Sequence, residues 1–132
     1  MKRGDRLAAR IWIPDSAGPE CRVPALLEYI PYRKRDMTRA GDEPKHSYFS
    51  GHGYASVRVD LAGAGDSFGV MRDEYTWQEL NDAKEVIAWL AAQSWCTGTV
   101  GMFGISWGGF NSLQVAALRP PALAAIVTSC ST

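Results

Sequence analysis

The sequence predicts the α/β class, with a mostly parallel sheet and helices on both of its faces. Three observations predict it. After residue 50, strand-like apolar runs alternate with helix-like periodicity, as successive β-α units do. The later strand-like runs are near-continuously apolar, as strands covered on both faces are. Finally, Gly104-Ile105-Ser106-Trp107-Gly108 stands between an apolar run and a helix-like segment, so a strand meets a helix through a G-x-S-x-G turn.

The elements follow in order. Residues 7–13 form the first expected strand, stopped by Pro14-Asp15, and residues 14–22 form a turn-rich loop. Residues 23–30 are an apolar strand closed by Pro31. Residues 36–44 are polar and expected to be irregular, with a short helix over 45–50. Residues 54–61 form a strand entered through Gly51-His52-Gly53, and Gly63, Gly65 and Gly69 make a flexible loop. The clearest helix spans 80–92. There Leu80, Ala83, Val86, Ile87 and Leu90 recur at three- and four-residue steps, with Asn81, Asp82, Lys84 and Glu85 on the opposite face. A strand over 99–103, a helix over 109–118 ended by Arg119-Pro120-Pro121, and a last strand over 124–128 complete the pattern. Trp12, Trp77, Trp89 and Trp95 are expected in the core or at its rim.

Composition narrows the partners. Lys+Arg and Asp+Glu number 14 each, so the chain offers no electrostatic case for nucleic acid or an anionic membrane. The cluster Arg33-Lys34-Arg35 is followed by Asp36 and is expected to be a solvated loop. No apolar run approaches the ~20 residues of a membrane span. Met1-Lys2-Arg3-Gly4-Asp5 is charged and precedes no apolar core, so no signal peptide is expected. Cys21, Cys96 and Cys130 are odd in number and widely spaced, which fits neither a disulfide framework nor a zinc site. Reduced cysteines and a cytoplasmic location are the simplest account. His52, between two glycines, is expected as a turn residue; His46 is expected to be solvated or to pack on Phe49. Neither has metal-ligand spacing. Gly63-x-Gly65-x-x-x-Gly69 lacks the dinucleotide-binding pattern. No metal or organic cofactor is implied.

The turn at 104–108 carries the chemistry. A sharp strand-to-helix turn lifts the Ser106 hydroxyl above the sheet edge, and side chains at 104 or 108 would collide with neighbouring backbone. The helix N-terminus at Ser106 favours developing negative charge. In this architecture the acid and the histidine follow the serine in sequence. No residue after Ser106 is Asp, Glu or His, and His46 and His52 both precede it. The chain thus carries a nucleophile and no downstream base or acid.

Six pieces in order resemble one family. They are Gly4-Asp5-Arg6-Leu7-Ala8 with Trp12-Ile13-Pro14; Pro31-Tyr32-Arg33-Lys34; Gly53-Tyr54-Ala55 with Val57-Arg58-Val59-Asp60; Gly63-Ala64-Gly65-Asp66-Ser67-Phe68-Gly69; the run from Asp82 through Trp89-Leu90 and Gln93-Ser94-Trp95 to Gly98-Thr99-Val100-Gly101-Met102; and the turn itself. Together they resemble the N-terminal part of the α/β-hydrolase domain shared by Xaa-Pro dipeptidyl-peptidases, bacterial cocaine esterase and α-amino-acid ester hydrolases. The resemblance implies that Ser106 is the nucleophile of a serine hydrolase. It implies that the Tyr32 phenol and the Trp107 backbone amide hold the oxyanion. A tetrahedral oxyanion needs preorganised donors, and a phenol beside a proline at a strand end is a stiff one. A tyrosine merely terminating a strand is the alternative for Tyr32, and simple packing is the alternative for the Trp107 ring. The family commonly has arginine where this chain has Ala62, which is expected to weaken an ion pair near Asp60. Asp60 itself is expected to cap its strand.

Residues 1–132 are accordingly expected to be the N-terminal portion of a single α/β-hydrolase domain whose later strands, cap and C-terminal domain are absent. Substrates would be small esters, amides or peptides, cleaved through an acyl-enzyme. Two alternatives stay open: a short non-catalytic interaction module, and a half-enzyme completed by a second chain. The last strand would leave an apolar edge unpaired, so homo-oligomers or association through that edge are expected.

Overall fold

A computed structural model describes residues 1, 2 and 4–131. The elements run β1 (Ala9–Trp12), β2 (Val23–Ile30), α1 (Arg39–Gly51), β3 (Ala55–Asp60), α2 (Trp77–Ala91), β4 (Cys96–Ile105), α3 (Trp107–Ala117) and β5 (Leu123–Ser129). The five strands form one sheet in the order β1-β3-β2-β4-β5. β1 pairs antiparallel with β3; every other pairing is parallel. The crossovers that parallel neighbours require are the helices.

Alternation along the strands separates two faces. Leu27, Tyr29, Val57, Val59, Val100 and Met102 pack with Leu80, Ala83, Ile87 and Leu90 of α2 and Val115 of α3 into one apolar cluster. The helical period expected for α2 is therefore its buried stripe. Asp82, expected on the polar side, is buried. The opposite face carries Glu28, Ser56 and Arg58 against α1, where polar groups are buried in place of apolar ones.

Three sequence expectations need correction here. The helix expected over 45–50 begins at Arg39 and contains Pro44, which leaves one intrahelical donor missing. What holds it is tertiary. Asp42 Oδ2 lies 3.3 Å from Arg58 Nε, and Lys45 donates to both Glu28 oxygens at 2.7 Å. Of the tryptophans, Trp12 stacks on His46 at 4.5 Å, whereas Trp77 and Trp89 are exposed. α2 also starts three residues earlier than expected. Thr76 and Glu79 form a reciprocal capping box there, a pattern that T-x-x-E spells in the sequence.

β5 is one of the two outer strands of the sheet, beside β4. Phe103 reaches Phe49 and His46 of α1, but Ile105 and Val127, further out on that same face, are 51% and 68% exposed. No helix among the described residues is long and apolar enough to cross a membrane.

Candidate active site

Neighbouring strands bring the candidate residues to one rim of the sheet. β2 and β4 are parallel and paired, so Ile30 and Ile105 end on the same side. Tyr32 lies two residues past the first and Ser106 one past the second. This is the C-terminal rim, where chemistry gathers in open α/β sheets.

Ser106 has φ 53° and ψ −120°, a backbone conformation costly for any residue with a side chain. Its surroundings hold it there. The Ser106 amide donates to Ser129 at 2.9 Å, and its carbonyl accepts from the Phe110 amide at 3.0 Å and the Ser131 hydroxyl at 3.1 Å. A methyl group at Gly104 would strike the backbone of Gly108, and one at Gly108 would strike the Ile30 side chain. Both glycines are therefore required by space, as the turn demands. Gly109 is equally crowded, by Ser131. Ser106 occupies the N-cap position of α3, yet its hydroxyl makes no capping bond. The side chain is exposed and left available for another partner.

Trp107 is the first residue of α3, so its amide has no carbonyl partner within the helix. Its indole Nε1 donates to Glu79 Oε1 at 2.6 Å. Its ring packs 5.5 Å from that of Tyr75, which packs equally close to Phe110. Burial, then the charges of Glu74, Tyr32 and Glu79, push the Tyr75 phenol above its usual range.

The segment carrying Tyr32 is held by ions. Asp60, fully buried at the end of β3, accepts from the Lys34 amide at 2.9 Å and lies 3.5 Å from Lys34 Nζ and 3.4 Å from Arg58 Nη1. Lys34 Nζ also donates to Asp66 at 2.6 Å, and this hydrogen bond holds the Asp66 carboxyl below its usual range. Arg33 sits at φ 53° between Tyr32 and Lys34. The solvated loop expected over 33–35 is thus wrong for Lys34, whose side chain is only 10% exposed. Ala62 does not leave Asp60 without cations, because Arg58 and Lys34 supply them.

Arg58 connects this rim to the interior. Its Nη1 donates to the carbonyls of Ile30 and Val59, at 3.2 and 2.8 Å, and its Nε faces Asp42 and Glu28. His46, expected to be solvated or on Phe49, is instead fully buried, with Nδ1 2.6 Å from the Ser56 hydroxyl and Nε2 3.0 Å from Glu28. Burial pushes the Glu28 carboxyl up, but hydrogen bonds from His46 and Lys45 and their charges outweigh it and hold the group below its ordinary value. Glu28, Asp42 and His46 converge closely enough to resemble a metal cage. Lys45 and Arg58 already pair with the two carboxylates, so these two side chains balance the cluster's charge in place of a metal ion. His52 lies on the surface, its Nδ1 2.7 Å from the Tyr48 carbonyl. Cys21 and Cys130 are exposed, Cys96 is buried, and all three are free.

Sequence reasoning missed Glu79, Lys34 and the buried role of Asp60. The capping-box spacing was the one local signal for Glu79. Lys34 meets Asp60 and Asp66 across 26 and 32 residues, which no local spacing reports, whereas Arg58 and Asp60 stand two apart on β3.

Known proteins are similar to this chain in sequence and fold. Cocaine esterase from Rhodococcus sp. is 35% identical over 130 residues, which cover 98% of this chain and 22% of the esterase. The crystal structure of a CocE/NonD family hydrolase from Staphylococcus aureus superposes with a TM-score of 0.82 at 27% identity, covering 96% of this chain and 25% of that one. An α-amino acid ester hydrolase superposes with a TM-score of 0.74 at 28% identity, covering 96% and 23%. The chain thus spans about a quarter or less of the length of these relatives, within an α/β-hydrolase fold. The family model described as X-Pro dipeptidyl-peptidase (S15 family) matches residues 3–132, nearly the whole chain, and the chain belongs to that family.

Proposed function

We propose that this chain supplies the nucleophile and the oxyanion-binding groups of a serine hydrolase acting on an ester or peptide bond. The observation that carries the reading is Ser106 itself: a strained, exposed serine at a strand-to-helix turn, its hydroxyl uncommitted to the helix it begins. Family membership supports the same reading.

In this reading Ser106 Oγ attacks the carbonyl carbon and forms the Oγ–C bond. Its proton passes to a histidine outside this chain, oriented by a carboxylate also outside it, and from there to the leaving group as the C–O or C–N bond breaks. Water then hydrolyses the acyl-enzyme by the reverse path. The Tyr32 phenol and the Trp107 amide carry the oxyanion in both steps. The chain forms the front portion of a single hydrolase domain, and β5, with its unpaired outer edge, is where further chain or another copy associates. Three free cysteines fit a cytoplasmic setting.

The test uses the intact protein containing this chain, with a p-nitrophenyl ester and a Pro-containing dipeptide anilide as substrates. Ser106→Ala is expected to abolish hydrolysis and labelling by a fluorophosphonate. Tyr32→Phe is expected to lower kcat about 10²–10³-fold with KM little changed. Full activity in Ser106→Ala would refute the reading.

A further inference from the structure

We infer that Glu79 is a positioning residue for the oxyanion-binding amide of Trp107; this rests on the reading just proposed. Glu79 stands at the third position of α2 and is buried. Its carboxylate is divided between two tasks. Oε2 accepts from the Thr76 amide at 3.2 Å, closing the capping box, and Oε1 accepts from the Trp107 indole at 2.6 Å. A cap needs only the first bond. The second is the shorter and joins α2 to the residue after the candidate nucleophile. The Glu79 carbonyl meanwhile accepts from the buried Tyr29 hydroxyl at 3.3 Å, so the same residue is tied to β2, the strand that leads to Tyr32.

The mechanical consequence follows from geometry. Trp107 is gripped at two points, its ring by Glu79 and Tyr75 and its backbone by the turn. An oxyanion donor works only when aimed at the position the developing charge will occupy. The first amide of a helix is otherwise among the least restrained in it, having no helical hydrogen bond of its own. Fixing the indole fixes the Trp107 Cα, and with it the direction of the N–H. Tyr75 contributes from φ 58°, a backbone conformation disfavoured for tyrosine.

The test compares the intact wild-type protein with Glu79→Ala, Glu79→Gln, Trp107→Phe and the double variant Glu79→Ala/Trp107→Phe. The readouts are kcat and KM on p-nitrophenyl acetate, inhibition by phenylboronic acid and the melting temperature. The boronate forms a tetrahedral adduct on an active serine and places a hydroxyl where the oxyanion sits. Glu79→Ala is expected to lower kcat about 10- to 100-fold with KM nearly constant, and to weaken boronate inhibition by a similar factor. Glu79→Gln should recover most of that loss, because its amide oxygen can still accept from the indole. In the Trp107→Phe background, Glu79→Ala should cost little further in kcat, although its effect on melting persists through the lost cap. Unchanged kcat and boronate affinity in Glu79→Ala, with only a lower melting temperature, would overturn the inference and reduce Glu79 to a helix cap. If Glu79→Ala does not fold, a Trp107→Phe variant with wild-type kcat overturns it equally. A wild type that hydrolyses nothing, or a Ser106→Ala variant that hydrolyses normally, overturns the functional reading and this inference together.

Discussion

The two halves of the rim are built from opposite materials. Ser106 is held by closeness: glycines at 104, 108 and 109 let backbone meet backbone, and the nearby groups are small. Tyr32 is held by charge: Lys34, Asp60, Asp66 and Arg58 fix the segment around it, with Asp60 and Arg58 fully buried. The turn in the first half needs residues that occupy no space, and Ser129 and Ser131 complete it with hydrogen bonds from the neighbouring strand and just past it. The second draws on β3 and on the loops that follow β2 and β3, because a buried ion is stable only when its partners surround it.

That contrast can be broken from either side. The largest effect is expected from Asp60→Ala. It removes the carboxylate shared by Lys34 and Arg58 and should cost roughly 3–5 kcal/mol in denaturant unfolding, because a cation then lies buried with one partner fewer. Gly104→Ala should cost less, about 1–3 kcal/mol, through backbone displacement, and its cost should not vary with salt or acid. Acid sharpens the difference. The Glu28 carboxyl is held below its ordinary value of 4.5 in the folded chain. Its contribution is therefore fully present above that value and is lost as pH falls through the lower folded value. Stability measured from neutral pH into that acid range should fall less in Glu28→Gln than in wild type, whereas Gly104→Ala should follow the wild-type slope. The smallest effect concerns strain. Of two variants that both lack the hydroxyl, Ser106→Gly should be more stable than Ser106→Ala by about 1 kcal/mol, since glycine accepts φ 53° freely.

The same division explains what was legible in the sequence. β2 is legible to the residue, because an apolar run stopped by Pro31 has few other fates. The turn at Ser106 was legible because its requirement is the absence of side chains at fixed spacing. The buried stripe of α2 followed from its period. α1 was misjudged because its helix rests on Asp42, Lys45 and His46 finding Glu28 and Arg58 in the sheet, and no period records an ion pair. Lys34 was misplaced for the same reason. Within Arg33-Lys34-Arg35-Asp36 nothing distinguishes the lysine that turns inward from the arginines that stay out. Glu79 shows an intermediate case: its cap was written in sequence, but its bond to Trp107 was not.

The hydrogen bonds around Ser106 also set an order in time. Its amide rests on the carbonyl of Ser129, and its carbonyl receives the hydroxyl of Ser131, 25 residues further along the chain. A ribosome delivers the serine first and those supports later. Until β5 has emerged and paired beside β4, the residue at 106 lacks these contacts and is free to relax from its strained pose. Ser106, the proposed nucleophile, is therefore among the last parts of this sheet to settle into its final shape, although β5 is made after it.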